Sequence, residues 1–167
     1  EIDLPPDSDP YGDIVYQTAA ARLRDMLDEG VLLREDKPSL YVYRQIRAGR
    51  CQTGVVGCAA VDEYLDKTIR IHELTRADKE QDRVRHIDAC DANTGPIFLA
   101  YRARPRINEI VAQAMQKQPL YDFTADGVQQ TVWLIDEAER IAALQAEFVK
   151  TARLYIADGH HRSASAA

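Results

Sequence analysis

The sequence predicts an α+β fold, a mixed β-sheet with packed helices, on three observations. The segments run helix, hairpin, helix, strand, helix, hairpin, helix, strand, without the strict alternation of a parallel βαβ protein. Two tight-turn signals, Ala48-Gly49-Arg50 and Asp126-Gly127, each separate β-prone runs. The chain closes on an apolar run, a glycine turn and a helix-tolerant stretch. Its 167 residues suffice for a real core, and residues 1–167 read as a single α+β domain.

Taken in order, Glu1 to Pro10 is rich in proline and aspartate and reads as an extended lead-in. Asp13 to Glu29 carries Ile14, Ala20, Leu23 and Leu27 at helical spacing, and Gly30 stands where a C-terminal glycine belongs. Leu40 to Arg47 alternates as a strand, and Cys51 to Val61 is its expected hairpin partner. Gly54 and Gly57 inside that partner imply a bulge or a close approach, with packing the simpler cause. Thr68 to Ile71 is a short β-prone run, and a helix is expected from Thr75 through Asp88. Asn93-Thr94-Gly95-Pro96 is a turn, Ile97 to Tyr101 a strand, and Pro105 to Gln118 a helix opened by proline. Tyr121 to Thr124 and Gln129 to Ile135 form the second hairpin, with Trp133 expected in the core. Asp136 to Lys150 is the last full helix before the terminal strand.

Composition narrows the function. The net charge is −6 and no Lys/Arg-rich patch occurs, which weighs against nucleic acid as the main partner. No apolar run approaches a membrane span and no signal peptide opens the chain, so a membrane is not expected and the location is read as cytoplasmic. Cys51, Cys58 and Cys90 form no CxxC pair and leave one odd, which suits reduced thiols. The chain starts without methionine and stops inside the expected last helix, so it reads as a fragment of a longer protein truncated at both ends.

The most informative stretch is Arg153 to Ala167. Leu154-Tyr155-Ile156-Ala157 reads as a buried strand, Asp158-Gly159 as the turn, and His160, His161 and Arg162 as the start of a helix. Such a turn aims free N–H groups and the positive helix end at one spot, suited to a phosphate or carboxylate. Two imidazoles and a guanidinium add donors and charge, and Asp158 would orient a neighbouring imidazole. The plain alternative is a surface histidine pair beside an ordinary Asp-Gly turn.

The second stretch is His72 to Asp88. On a helical wheel Leu74, Ala77, Val84 and Ile87 make a narrow apolar seam, with Arg76, Lys79, Arg83 and His86 as a basic stripe roughly opposite. A charge-rich helix of this kind can also simply face water, held by pairs four residues apart. All four histidines of the chain lie in these two stretches, which suggests one shared site. In that site Lys79, Arg83 or His86 should come close to His160 and His161.

Tyr155-Ile156-Ala157-Asp158-Gly159-His160-His161-Arg162 resembles a signature of the bacterial and archaeal family known as domain of unknown function 1015. His72, Glu73, Thr75, Asp78, Lys79, Asp82, Arg83 and His86 resemble its second signature. The terminal turn is also distantly similar to the Gly-x-x-Arg phosphate-gripping turn of the ParB/sulfiredoxin superfamily. His160 stands where sulfiredoxins carry their reactive cysteine, which argues against that chemistry.

What the resemblance and the residues imply together is a nucleotide- or phosphate-binding enzyme, a small-molecule (serine-like) phosphotransferase of the free-serine kinase type. Asp158, Gly159, His160, His161 and Arg162 would cradle phosphate, with Lys79 and Arg83 neutralising developing charge. Glu73 and His160 are the catalytic candidates, and His72, Thr75, Asp82 and His86 support them. The partner would be a phosphorylated small molecule or nucleotide. The residues name no cofactor, though a nucleotide with magnesium suits this chemistry, and no metal ligand set is assigned. The alternative is a ParB-like nucleotide-binding regulatory module without catalysis. A third reading, hydrolysis through a metal on His160, His161 and Asp158, is disfavoured because adjacent side chains diverge.

Overall fold

The computed structural model describes residues 4–5 and 7–167. In chain order the described residues form α1 (Asp13–Asp28), the hairpin strands β1 (Leu40–Arg47) and β2 (Arg50–Val56), and the short helix α2 (Val61–Leu65). A two-residue strand β3 (Ile69–Arg70), helix α3 (Ala77–Cys90), strand β4 (Phe98–Ala100) and helix α4 (Pro105–Ala114) follow. A second hairpin, β5 (Tyr121–Ala125) and β6 (Val128–Ile135), leads to α5 (Ala138–Val149), β7 (Leu154–Asp158) and α6 (His160–Ala166). The class is α+β, but the strands form two sheets, one antiparallel in the order β2-β1-β6-β5 and one mixed in the order β3-β7-β4. The lead-in expected over residues 1–10 lies partly outside the described residues; within it the Ser8 N–H donates to the Pro5 carbonyl at 2.9 Å.

Backbone contacts divide the chain into two compact units. One comprises Glu35–Ala59 and Tyr101–Ala152 and holds the four-stranded sheet with α4 and α5. Its two hairpins close tightly because both central residues take positive φ, at Ala48 (48°) and Gly49 (77°) and at Asp126 (50°) and Gly127 (73°). That backbone twist matches the twist of the flanking strands. Val42, Trp133 and Ile135 from the sheet pack on Ile107, Ile110 and Ala114 of α4 and Leu144 of α5. Trp133 is a core residue, as expected, and its indole N–H donates to the Lys117 carbonyl at 3.1 Å, just beyond the end of α4.

The other unit comprises the described residues up to Arg34, Ala60–Ala100 and Arg153–Ala167. Its three-stranded sheet pairs β3 with β7 in parallel and β4 with β7 antiparallel. Helix α3 packs against both α1 and α6. The buried residues here are Tyr16, Ala19, Ile69 and Ile156, joined by the polar His160 and Ser163. No helix of the described residues is long and apolar enough to cross a membrane.

Several boundaries differ from expectation for local reasons. The second hairpin strand ends at Val56, opposite Tyr41, the residue next to the start of β1 at Leu40, so little of β1 remains to pair with. Val61, expected at the strand's end, opens α2, whose first turn carries Asp62 and Glu63 at the favourable helix end. At Gly57 a Cβ would lie 2.6 Å from Leu40 Cδ2, so packing explains that glycine, whereas Gly54 faces open space. Helix α3 starts at Ala77 rather than Thr75, and Leu74 is 92% exposed ahead of it, outside the apolar seam assigned to it.

Candidate functional site

Strand β7 delivers Asp158 to a corner that only a special backbone can turn. Gly159 has φ +93°, a region costly for residues with a Cβ. A Cβ there would also lie 3.0 Å from Arg162 Nε, Arg162 Nη2 and Ile97 Cγ2. Across the corner a Cβ on Gly95 would lie 2.9 Å from Arg162 Cδ. The two glycines therefore leave a slot in which the Arg162 side chain lies. Its Nη2 donates to Asp158 Oδ2 at 2.6 Å, while its Nε is buried without a partner.

This guanidinium borders a cavity of about 140 Å³. Arg83, His86 and Ile87 of α3, the loop Asn93-Thr94-Gly95 and Arg162 of α6 line it. None of the seven carries a carboxylate. The contrast with its surroundings is marked, since this unit has eighteen Asp and Glu against eleven Lys and Arg. The nearest acidic partner of Arg83 is Asp82, whose Oδ2 lies 3.9 Å from Arg83 Nε. Asp82 itself accepts a hydrogen bond from the Tyr16 hydroxyl at 2.8 Å. Burial first, and then that carboxylate, push the Tyr16 phenol above its ordinary range.

The basic stripe of α3 thus divides. Arg83 and His86 reach the cavity with Arg162. Lys79 does not line it. Its ammonium donates to the Tyr11 hydroxyl at 2.6 Å and lies 5.2 Å from the centre of that ring. Arg76 precedes the helix, and its guanidinium pairs with Asp78 at 2.8 Å.

The two adjacent histidines point to different partners. His161 Nε2 accepts the Arg76 N–H at 3.1 Å, which satisfies a donor at the start of α3 and ties α6 to it. Ser165 adds to that tie, its hydroxyl 3.2 Å from the Glu80 carbonyl and 2.6 Å from that of His161. His160 is 6% exposed, and its ring meets the His72 ring edge-on with centroids 4.5 Å apart. Glu73 Oε2 lies 3.7 Å from His160 Nδ1, and Glu73 Oε1 lies 3.9 Å from His72 Nε2. His160 Nε2 is buried and has no partner. Thr75 serves the helix start, donating to Glu80 Oε2 at 2.8 Å. Among the described residues no group of three or more His, Cys, Asp or Glu side chains could hold a metal ion.

The candidate residues therefore form two groups at this corner: Arg83, His86 and Arg162 on the cavity, with Asp158 held by Arg162 outside its lining, and His72, Glu73 and His160 in contact with one another. His161, Thr75, Asp82 and Lys79 are occupied elsewhere, with Arg76 just before α3, Glu80 of α3, Tyr16 of α1 and Tyr11 just before α1. Asn93, Thr94 and Gly95 were read only as a turn, since nothing local shows that the loop would meet a helix some seventy residues later. Cys51, Cys58 and Cys90 are free, and burial pushes the Cys90 thiol up.

Fold and site together define an α+β protein with a cationic, carboxylate-free cavity beside a strand–glycine–helix corner. The chain belongs to the family described as protein of unknown function (DUF1015), whose model matches residues 1–167. No curated protein and no solved structure matches it, so the ParB/sulfiredoxin likeness stands on the sequence motif alone.

Proposed function

We propose that the chain binds the phosphoryl group of a nucleotide or another phosphorylated small molecule at the β7–α6 corner, and that it acts in the cytoplasm. One observation carries this: Arg83, His86 and Arg162 come from two separate segments to one cavity without a carboxylate, inside an acidic unit. Asp158 offsets part of the charge of Arg162 and Asp82 part of that of Arg83, and an anion in the cavity would offset the remainder. Arginine grips phosphate oxygens through paired N–H donors, and an imidazole offers a further ring N–H donor. The free cysteines suit a reducing compartment.

The reaction this supports is phosphoryl transfer to a small hydroxyl compound. On this reading Glu73, beside His160 and His72, would accept the hydroxyl proton, and Arg83 and Arg162 would neutralise charge on the transferring group. A second reading is favoured by a specific feature, that neither Glu73 nor His160 lines the cavity. On that reading the protein is a binding module whose ligand sets its conformation, with no chemistry of its own.

Calorimetric titration with ATP, ADP, CTP, GTP and inorganic phosphate, with and without magnesium, tests binding. Arg162→Ala should weaken it by about 1.5–3 kcal/mol, the size of a charged hydrogen bond. Equal binding by parent and variant would end the phosphoryl-site reading. Transfer to a free hydroxyl compound such as serine, lost in Glu73→Gln, selects the enzyme, and binding without turnover selects the module.

A further inference from the structure

We infer that the cavity takes one terminal phosphoryl group, of the phosphomonoester class, and leaves the rest of the ligand outside. This rests on the phosphoryl-binding reading above and sharpens it by size, charge and loop geometry.

Size comes first. The cavity is small, about 140 Å³. Pockets that enclose a drug-sized ligand start near 300 Å³. A base and sugar do not fit within such a space, whereas a tetrahedral oxyanion does.

Charge is the second argument. A phosphomonoester carries about −1.5 to −2 at neutral pH, and a carboxylate at most −1. Two guanidiniums and an imidazole around one small space match the larger charge. Arg162 already has Asp158 on its Nη2, and its buried Nε has no partner. The Asn93 amide and the Thr94 hydroxyl add neutral polar groups at the rim, suited to phosphoryl oxygens.

Loop geometry is the third. A polyphosphate is usually held by successive backbone N–H groups in a nest, which needs glycines or other residues at positive φ. Gly95, Asn93 and Thr94 are not at positive φ, and Gly159, the positive-φ glycine of the corner, is not part of the cavity lining. The lining consists mainly of residues with polar side chains, without the run of positive-φ residues that a cradle along a chain of phosphates needs.

The test uses the 167-residue chain with four probes: inorganic phosphate, glycerol 3-phosphate, ATP and acetate. Binding is read by ³¹P NMR line broadening and by calorimetry. Phosphate and glycerol 3-phosphate should compete for one site with affinities within about threefold, ATP should bind no more than about threefold tighter, and acetate should not compete. Thr94→Val and Arg83→Gln should each weaken phosphate at least about threefold while circular dichroism stays that of the parent. ATP binding tenfold or more tighter than phosphate would overturn the single-phosphoryl inference and leave the phosphoryl-site reading standing. Acetate competing as well as phosphate would overturn the phosphomonoester class. If no phosphate-bearing probe binds, both fall together.

Discussion

The two compact units solve different problems with the same chain. The unit of Glu35–Ala59 and Tyr101–Ala152 buries a continuous apolar cluster, and Thr131 is its buried polar side chain. The unit that carries the candidate site has a thinner apolar interior and buries His160 and Ser163 within it. It holds α1, α3 and α6 together by polar ties: Tyr16 to Asp82, Lys79 to Tyr11, Arg76 to His161 and Ser165 to Glu80. The difference shows where stability and chemistry are invested. Apolar packing gives unspecific, additive stabilisation, whereas buried polar groups cost free energy unless each finds a partner. Two of the buried polar atoms still without one, His160 Nε2 and Arg162 Nε, stand at the corner where a ligand is proposed; the others among the described residues are Arg70 Nε in the same unit and Arg44 Nε, Glu137 Oε2 and Arg140 Nη1 in the other.

The harshest way to break that comparison is in the core. Leu144→Ala removes a fully buried side chain and should destabilise by about 2–5 kcal/mol. Urea denaturation followed by Trp133 fluorescence reads this directly, since the only tryptophan sits in that cluster. A loss below about 1 kcal/mol would show that the cluster does not hold this unit together.

Gly159→Ala strikes the corner instead. Its φ costs about 1–2 kcal/mol for a residue with a Cβ, and the added carbon also presses on Arg162 and Ile97. Gly49→Ala is the control, with φ +77° and nothing near its Cβ position. Both should lose stability, but only the first should lose phosphate affinity. Retained affinity in Gly159→Ala would separate the corner's shape from binding.

Acid sharpens the comparison further. A hydrogen bond from Lys37 holds Asp136 below the usual carboxylate range, Lys117 does the same for Glu137, and Lys150 with Arg104 for Glu147. Depressed carboxylates contribute stability above their unfolded values and lose it as pH falls through the folded ones. The core unit's urea midpoint should therefore be flat from pH 7 to about 5 and fall below about pH 4.3. A midpoint unchanged at pH 3 would mean that these pairs contribute nothing.

The smallest effect is expected at the exposed thiols. Cys51→Ser and Cys58→Ser should each change stability by no more than about 0.5 kcal/mol and leave phosphate binding alone. A disulfide between any two cysteines in mass spectrometry of the folded protein would contradict the free-thiol reading.

Local physics made much of this protein legible without coordinates. Tight turns at Ala48-Gly49 and Asp126-Gly127 follow from the tolerance of Gly49, Asp126 and Gly127 for positive φ, with Ala48 drawn into the same turn, and the strands beside them follow from alternation. The strand–glycine–helix corner at Asp158 to Arg162 was equally readable, because a glycine between an apolar run and small residues has few other uses. What adjoins the corner was not readable. Thr75, Lys79 and Asp82 share α3's region with Arg83 and His86, yet Tyr11, Tyr16 and Glu80 claim them and leave only the last two to the cavity. Helical periodicity states which residues share a face but not which neighbour each side chain meets. The same limit hid Asn93 to Gly95, an unremarkable turn until Arg162 lies against it. The sequence by itself determined the local elements, because backbone preference and periodicity act over a few residues. The tertiary structure alone decided which charges share a cavity, because that depends on packing between segments some seventy residues apart.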